Sequence, residues 1–176
     1  LSMTLHRHIE RKIKTLTIRR NGVGHWYACF TVEMPSAVAV HPFPDRAIGL
    51  DAGLTHLLST STGAVIANPR FLEKSTNKLA RCQRALSRKK RGSKNRAKTK
   101  QKLAKMHLKI CSQRIDSLHK ITSKLVASYG LIVAEKLQIQ RMMKDRRFAR
   151  GIGDAGWGKV FEMLRYKAER AGGVFV

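Results

Sequence analysis

The 176-residue chain is long enough for one compact domain and an attached piece, and its 36 Lys and Arg stand against 11 Asp and Glu, a net charge of +25. Such an excess repels itself in a compact state unless a counter-charge binds, so the composition points to a polyanion as partner. It excludes a membrane partner: no apolar run is long enough to span a bilayer, and no basic amphipathic stretch has a clean Trp/Phe/Leu face. Cys29, Cys82 and Cys111 are far apart and include no C-x-x-C pair, so they build no zinc ribbon. Each reads as a small buried apolar residue. An odd cysteine count without a signal peptide fits a reducing cytoplasm. His6 and His8 could share one side of a strand, but no nearby Cys completes a metal site.

In chain order, residues 12–33 alternate as a β-hairpin, with Asn21-Gly22 supplying a turn where positive φ is cheap. Trp26, Ala28, Phe30 and Val32 share one face, and Tyr27, Cys29, Thr31 and Glu33 the other. A lone hairpin needs more strands or a partner surface to be stable. Pro35 to Asp45, with three prolines, is a linker. Three strands follow at Ala47–Asp51, Leu54–Ser59 and Ala64–Asn68, with a turn at Ser61-Thr62-Gly63.

From Phe71 to about Ser128 the pattern is helical, broken once near Gly92-Ser93, and Ser93 suits the N-cap of the second helix. Leu79, Cys82 or Gln83, and Leu86 form the apolar side of the first helix. Leu103, Met106, Ile110, Leu118, Ile121 and Leu125 form that of the second. Two long helices joined by a short basic turn predict an antiparallel hairpin. Between Glu73 and Asp116 there is no acidic residue. Without i,i+4 glutamates the cations repel one another along the helix, whereas a solvated face normally mixes signs. Phosphates are the expected neutralisers, through Lys78, Arg81, Arg84, Arg88, Lys89, Lys90, Arg91, Lys94, Arg96, Lys98 and Lys102.

Gly130–Glu135 is a further strand, followed by a polar loop rich in Lys and Arg from Gln138 to about Gly153. Ala155–Ala171 is a helix with Trp157, Val160, Phe161, Leu164 and Ala168 on one face. Gly172-Gly173 ends it, and Val174–Val176 starts another strand. The order β-β-β-α-α-β-α-β after the linker predicts a mixed sheet with helices against it.

Two lone acids end apolar strands: Asp51, in Gly49-Leu50-Asp51-Ala52-Gly53, and Glu135, in Leu131-Ile132-Val133-Ala134-Glu135. If those strands are adjacent and parallel, both acids meet at one end of the sheet. Carboxylates so placed can hold Mg²⁺, and phosphodiester hydrolysis uses two such ions about 4 Å apart. Alternatively Asp51 caps a turn and Glu135 is a surface residue. Asp116 and His119 could form an acid–base pair, though helix-surface roles suit them better. Trp157 could stack on a base, though its apolar face suits the core better.

Residues 46–176 closely resemble the RuvC-like nuclease region of the TnpB family, also called transposon OrfB, RNA-guided nucleases related to type V CRISPR effectors. The resemblance lies in Ala47–Leu54, Asn68–Leu72, Leu86–Arg96, Arg114–Lys120, Val133–Leu137 and Asp154–Gly158, in order and spacing. Ala134, Lys136 and Gly156 depart from the family's frequent Val, Asp and Ser without removing a metal ligand.

The resemblance implies an α/β fold of RNase H-like (RuvC) type, a mixed sheet with a long basic helical hairpin inserted. It implies that residues 1–36 are the end of an oligonucleotide-binding-like wedge domain, 37–45 a linker and 46–176 the nuclease domain, truncated at its C-terminus. It further implies Asp51 and Glu135 as catalytic and metal-holding carboxylates, Mg²⁺ or Mn²⁺ as cofactor, and guide RNA and target DNA as partners. A prokaryotic, nucleoid-associated cytoplasmic protein follows. The family's zinc ribbon and third catalytic Asp do not appear in this sequence, so another polypeptide segment would have to supply them. The expectation is therefore an RNA-guided, Mg²⁺-dependent DNA endonuclease core that cuts poorly alone. The alternative is a nuclease-inactive module that holds guide RNA and DNA. A basic RNA-binding protein of ribosomal type is a weaker third idea, opposed by the two strand-end acids.

Overall fold

The computed structural model describes residues 4–5, 8–33 and 39–176. His6 and the start of the expected linker, residues 34–38, lie outside the described residues. The chain divides into two compact units, Leu1–Ala37 and Val38–Val176.

The first unit is a two-stranded antiparallel hairpin of β1 (Ile13–Arg20) and β2 (Trp26–Val32). Its register pairs Leu16 with Phe30, Ile18 with Ala28 and Arg20 with Trp26, which fixes one apolar face. The turn differs from the sequence expectation. The positive φ, 93°, falls at Gly24 and not at Gly22. Asn21 organises the loop through its side chain, whose Oδ1 accepts from the Val23 and His25 N–H groups at 3.1 and 2.9 Å. Leu16, Ile18 and Trp26 remain exposed, so this ribbon has little burial of its own.

The second unit contains a five-stranded mixed sheet in the order β5-β4-β3-β6-β7. Its strands are β3 (Ala47–Ala52), β4 (His56–Thr60), β5 (Val65–Ala67), β6 (Leu131–Ala134) and β7 (Val174–Phe175). The first three form an antiparallel meander, whereas β6 runs parallel to β3 and β7 parallel to β6. The long excursion between β5 and β6 is α1 (Phe71–Ser87) and α2 (Lys94–Ser128). The expected second strand begins at His56 and not Leu54, because Gly53 to Thr55 form the turn that lets the Gly53 N–H reach the Leu57 carbonyl at 3.4 Å.

The basic loop after β6 also departs from expectation. It contains two short helices, α3 (Ile139–Met142) and α4 (Ala149–Ala155), before α5 (Trp157–Arg170). The expected helix from Ala155 is broken because Gly156, at φ 72°, ends α4 in the left-handed region and starts α5 in a new direction.

The core lies on one face of the sheet. Ile48, Leu50, Leu58 and Ile132 pack with Leu118, Leu125 and Val126 of α2 and with Val160, Leu164 and Ala168 of α5. Ile132, Leu164 and Val160 have no exposed surface. Truncating such a side chain to Ala costs about 2–5 kcal/mol. Strand alternation turns Gly49 and Val133 to the opposite face, where Val133, Val65 and Val174 are exposed. Residues 39–45, expected as part of the linker, are anchored at His41, which is 2% exposed. Its Nε2 donates to the Val126 carbonyl at 2.7 Å, while its Nδ1 accepts from the Phe43 N–H at 3.0 Å. The cysteine expectation holds for Cys82 alone. Cys29 and Cys111 are exposed, because one lies on an open ribbon face and the other on the outer side of α2.

Candidate functional site

Asp51 lies on β3, and Glu135 directly follows the neighbouring strand β6. The parallel register of β3 and β6 pairs Gly49 with Val133 and Leu50 with Ala134. Asp51 is the next residue on β3 and Glu135 the first residue after β6, so each acid directly follows a member of that last pair, and adjacent strands lie about 4.8 Å apart. Because Leu50 faces the core, this register position projects to the open face, and both acids are exposed. At Gly49, two residues before Asp51, the side chain over the backbone is Ser61, whose Oγ accepts from the Gly49 N–H at 3.0 Å.

Among the described residues neither carboxylate has a hydrogen-bond or ion-pair partner. Asp51 therefore caps no turn through its side chain. Two hard oxygen donors side by side suit a divalent cation. No group of three or more His, Cys, Asp or Glu able to hold a metal ion is found among the described residues, so Asp51 and Glu135 stand as a pair.

The turn after Asp51 is held from a distance. Asn68 Nδ2 donates to the Leu54 carbonyl at 3.0 Å, and its Oδ1 accepts from the Arg70 N–H at 3.2 Å. One side chain thus ties the β3–β4 turn to the entry of α1.

Helices α1 and α2 form the expected antiparallel arm. Ser93 caps α2, its Oγ accepting from the Arg96 N–H at 3.2 Å. Lys78, Arg81, Arg84, Arg88, Lys90, Arg91, Lys94, Lys98 and Lys102 are exposed, and Lys89 is half-buried. Arg96 serves the fold of the arm itself. Its Nη1 donates to the Leu86 and Lys89 carbonyls at 2.7 and 3.1 Å, closing the end of α1. Among the described residues no cation from Lys78 to Lys109 has a carboxylate partner. A cavity of about 480 Å³ opens between the two helices, with Lys78, Arg81 and Lys102 among its lining residues over Cys82 and Met106.

The base of the arm is fixed by residues to which sequence reasoning gave no role. Asp154, on α4 and 7% exposed, accepts from the Leu72 N–H at 3.0 Å, from the Glu73 N–H at 3.3 Å and from Arg114 Nη2 of α2 at 2.9 Å. Helix α1 has no side-chain cap of its own, since Arg70 stands at its N-cap with φ 49°. Asp154 supplies that cap from 82 residues away and places its charge at the positive end of the helix dipole. Arg150 of α4 adds a hydrogen bond to Thr76 of α1. On the other side, Lys167 Nζ of α5 donates to the His119 carbonyl and to Thr122 and Ser123 Oγ atoms at 2.9, 2.7 and 2.8 Å. Partial burial holds the Lys167 ammonium below its usual pKa.

Asp116 and His119 form no pair, because the Asp116 carboxylate binds Lys120 Nζ at 2.7 Å on the helix surface. Trp157 is 3% exposed and belongs to the core. On the basic segment after β6, Arg147 grips Asp145 through Nη2 at 2.8 Å and Nε at 3.2 Å. That guanidinium holds the Asp145 carboxyl below the usual carboxylate range.

This mixed sheet, with helices packed on it and a basic two-helix arm, defines a mixed α/β protein. The model of the OrfB_IS605 family, described as "Probable transposase", matches residues 29–146, and the chain belongs to that family. It is 37% identical over 153 residues to a Streptomyces pristinaespiralis protein named "Putative RNA-guided DNA endonuclease", covering 87% of this chain and 38% of that protein. It is 32% identical over 182 residues to "Putative RNA-guided DNA endonuclease InsQ" of Escherichia coli K12, covering 95% of this chain and 45% of that protein. A Mycobacterium tuberculosis relative of the same description, MT2953, is 29% identical, covering 89% of this chain and 36% of that protein. The chain thus spans less than half the length of these relatives. No helix among the described residues is long and apolar enough to cross a membrane.

Proposed function

We propose that residues 46–176 are the RNase H-like, RuvC-type part of a transposon-associated, RNA-guided DNA endonuclease. The observation that supports this is the parallel register of β3 and β6, whose last pair, Leu50 with Ala134, directly precedes Asp51 and Glu135. The strand order β5-β4-β3-β6-β7, with an antiparallel meander on one side and parallel strands on the other, supports the RNase H-like assignment. Family membership and the relatives' names support guide RNA and DNA as partners.

The donor chemistry of Asp51 and Glu135 fits Mg²⁺ or Mn²⁺, which when bound would activate water and stabilise the leaving oxygen of a phosphodiester. The chain's own part is to hold two carboxylates at fixed strand ends, leave the sheet face open beside them, and bind the strand's phosphates along the arm. Two carboxylates fix one cation better than two, so cleavage at full rate needs a further acid from outside this sequence. A second reading, a binding module that holds RNA and DNA without cutting, is favoured by the lack of a third ligand among the described residues.

The test compares this chain with a longer protein containing it and an additional carboxylate-bearing segment. Guide-dependent DNA cleavage with Mg²⁺ should appear in the longer protein and vanish in Asp51→Ala and Glu135→Ala. Mn²⁺ binding to the short chain, followed by electron paramagnetic resonance, should weaken with either variant. Cleavage by the Asp51→Ala longer protein would overturn the site, and robust cutting by the short chain would overturn the need for a third acid.

A further inference from the structure

Beyond the ends of the two acid-bearing strands lies a cavity of about 360 Å³ lined by Leu54, Met142, Asp145, Phe148, Ile152 and Trp157. Its size falls in the range of small-ligand sites. Segments that follow each of the two strands contribute to its walls. Leu54 follows Asp51 by three residues, at most about 10 Å of chain. The chain leaving Glu135 forms α3, which ends at the cavity-lining Met142. Apart from Asp145 the lining is apolar or aromatic. Ile152 and Trp157 form a buried floor, 2% and 3% exposed, while Phe148 at the rim is 47% exposed. Arg147 stands over the Phe148 ring at 5.5 Å. The segment that shapes the rim carries Arg141, Lys144, Arg146 and Arg150 besides Arg147, against the single acid Asp145, whose charge Arg147 already balances.

An apolar, aromatic-walled cavity inside a cationic rim matches one chemical object: a nucleobase on its phosphodiester chain. The base seeks stacking and escape from water, and its phosphates seek the arginines. We propose that this cavity takes one unpaired base of a single-stranded DNA, next to the phosphate that Asp51 and Glu135 face, and so sets the register of the strand at the site. This rests on the nuclease reading for its biological setting but not for its measurement. A base held here fixes which phosphate lies at the carboxylates, and Phe148 acts as a positioning residue through that base.

The experiment measures binding of short single-stranded DNA oligonucleotides to the whole chain by fluorescence anisotropy. Asp51→Asn is used throughout, so cleavage plays no part. A single abasic site is scanned along the oligonucleotide, and 2-aminopurine is placed at the same positions. One position should lose about tenfold in affinity when abasic, and 2-aminopurine there should be quenched. Phe148→Ala should give a similar loss on the intact strand with an unchanged salt slope, whereas Phe148→Trp should retain binding. Equal affinity at every abasic position, no quenching, or no effect of Phe148→Ala overturns the proposal. So does the same position-specific behaviour with RNA but not DNA. The nuclease reading fails separately, through the Asp51→Ala and Glu135→Ala cleavage assay.

Discussion

Asp154 is the most exposed point of failure in this architecture, although it is almost wholly buried. In Asp154→Ala two N–H groups at the start of α1 lose their acceptor and Arg114 loses its carboxylate. Loss of an N-cap costs about 1 kcal/mol. Orphaning one member of a buried ion pair costs about 3–5 kcal/mol. Arg114 is 23% exposed, so water recovers part of that second loss, and about 2 kcal/mol is a fair share. The sum is about 3 kcal/mol, or about 10 °C in Tm for a domain of this size. Urea denaturation of Asp154→Ala and Arg114→Met, singly and together, measures it. The double variant should lose clearly less than the two single losses added, because the unpaired charge is gone. Native-state hydrogen exchange should show the Leu72 and Glu73 amides losing protection before the sheet does. A loss below about 1 kcal/mol with unchanged protection would refute the idea that α1 is capped from α4.

Replacing Arg88, Lys89, Lys90 and Arg91 with Ala should weaken nucleic-acid binding across sequences and flatten the salt slope by up to about one unit per lost phosphate contact, read by anisotropy titrations at several salt concentrations. His41→Leu leaves the Val126 carbonyl and Phe43 N–H without their partner and should cost about 2 kcal/mol in chemical denaturation. Lys167 has a lowered pKa in the fold, so the unfolded chain holds the proton more tightly between that value and the ordinary 10.5. Stability of the wild type should therefore rise relative to Lys167→Met as pH climbs toward 10.5, seen by denaturation across that range. A relative stability that falls with pH would reverse the assigned cause.

Local chemistry made part of this molecule legible in its sequence. Apolar runs ending in single acids located β3, which carries Asp51, and β6, which stops one residue short of Glu135, and a stretch without any carboxylate marked the arm. Ser93 announced the start of α2 by its type and place. Contacts distant in sequence were not legible. Nothing around Asp154 signals that its carboxylate caps a helix begun 82 residues earlier. Nothing around His41 signals a bond to the end of α2. The short helices α3 and α4 are hidden because a turn or two of helix shows no apolar period. Gly156 was visible as a glycine, but only its left-handed φ shows that α5 begins anew there. Arg96 counted as one cation among many until its bonds to two carbonyls set it apart.

Helix α2 is a single rod of 35 residues, about 50 Å long, from the arm's basic tip to Ser128, shortly before β6. From its seat near Leu118 about 36 Å of the rod reaches to the tip, which swings by about 0.6 Å for each degree of tilt. The tip is thus a long pointer whose aim depends on very small angles near Leu118. Asp154 and Lys167 grip α2 from separate helices, α4 and α5, as two stays grip a mast. Two residues, Tyr129 and Gly130, join the mast to β6, so a load on the tip is passed to the start of that strand at Leu131. The arm is therefore coupled to the sheet at the start of β6, one strand length from the end that Glu135 follows.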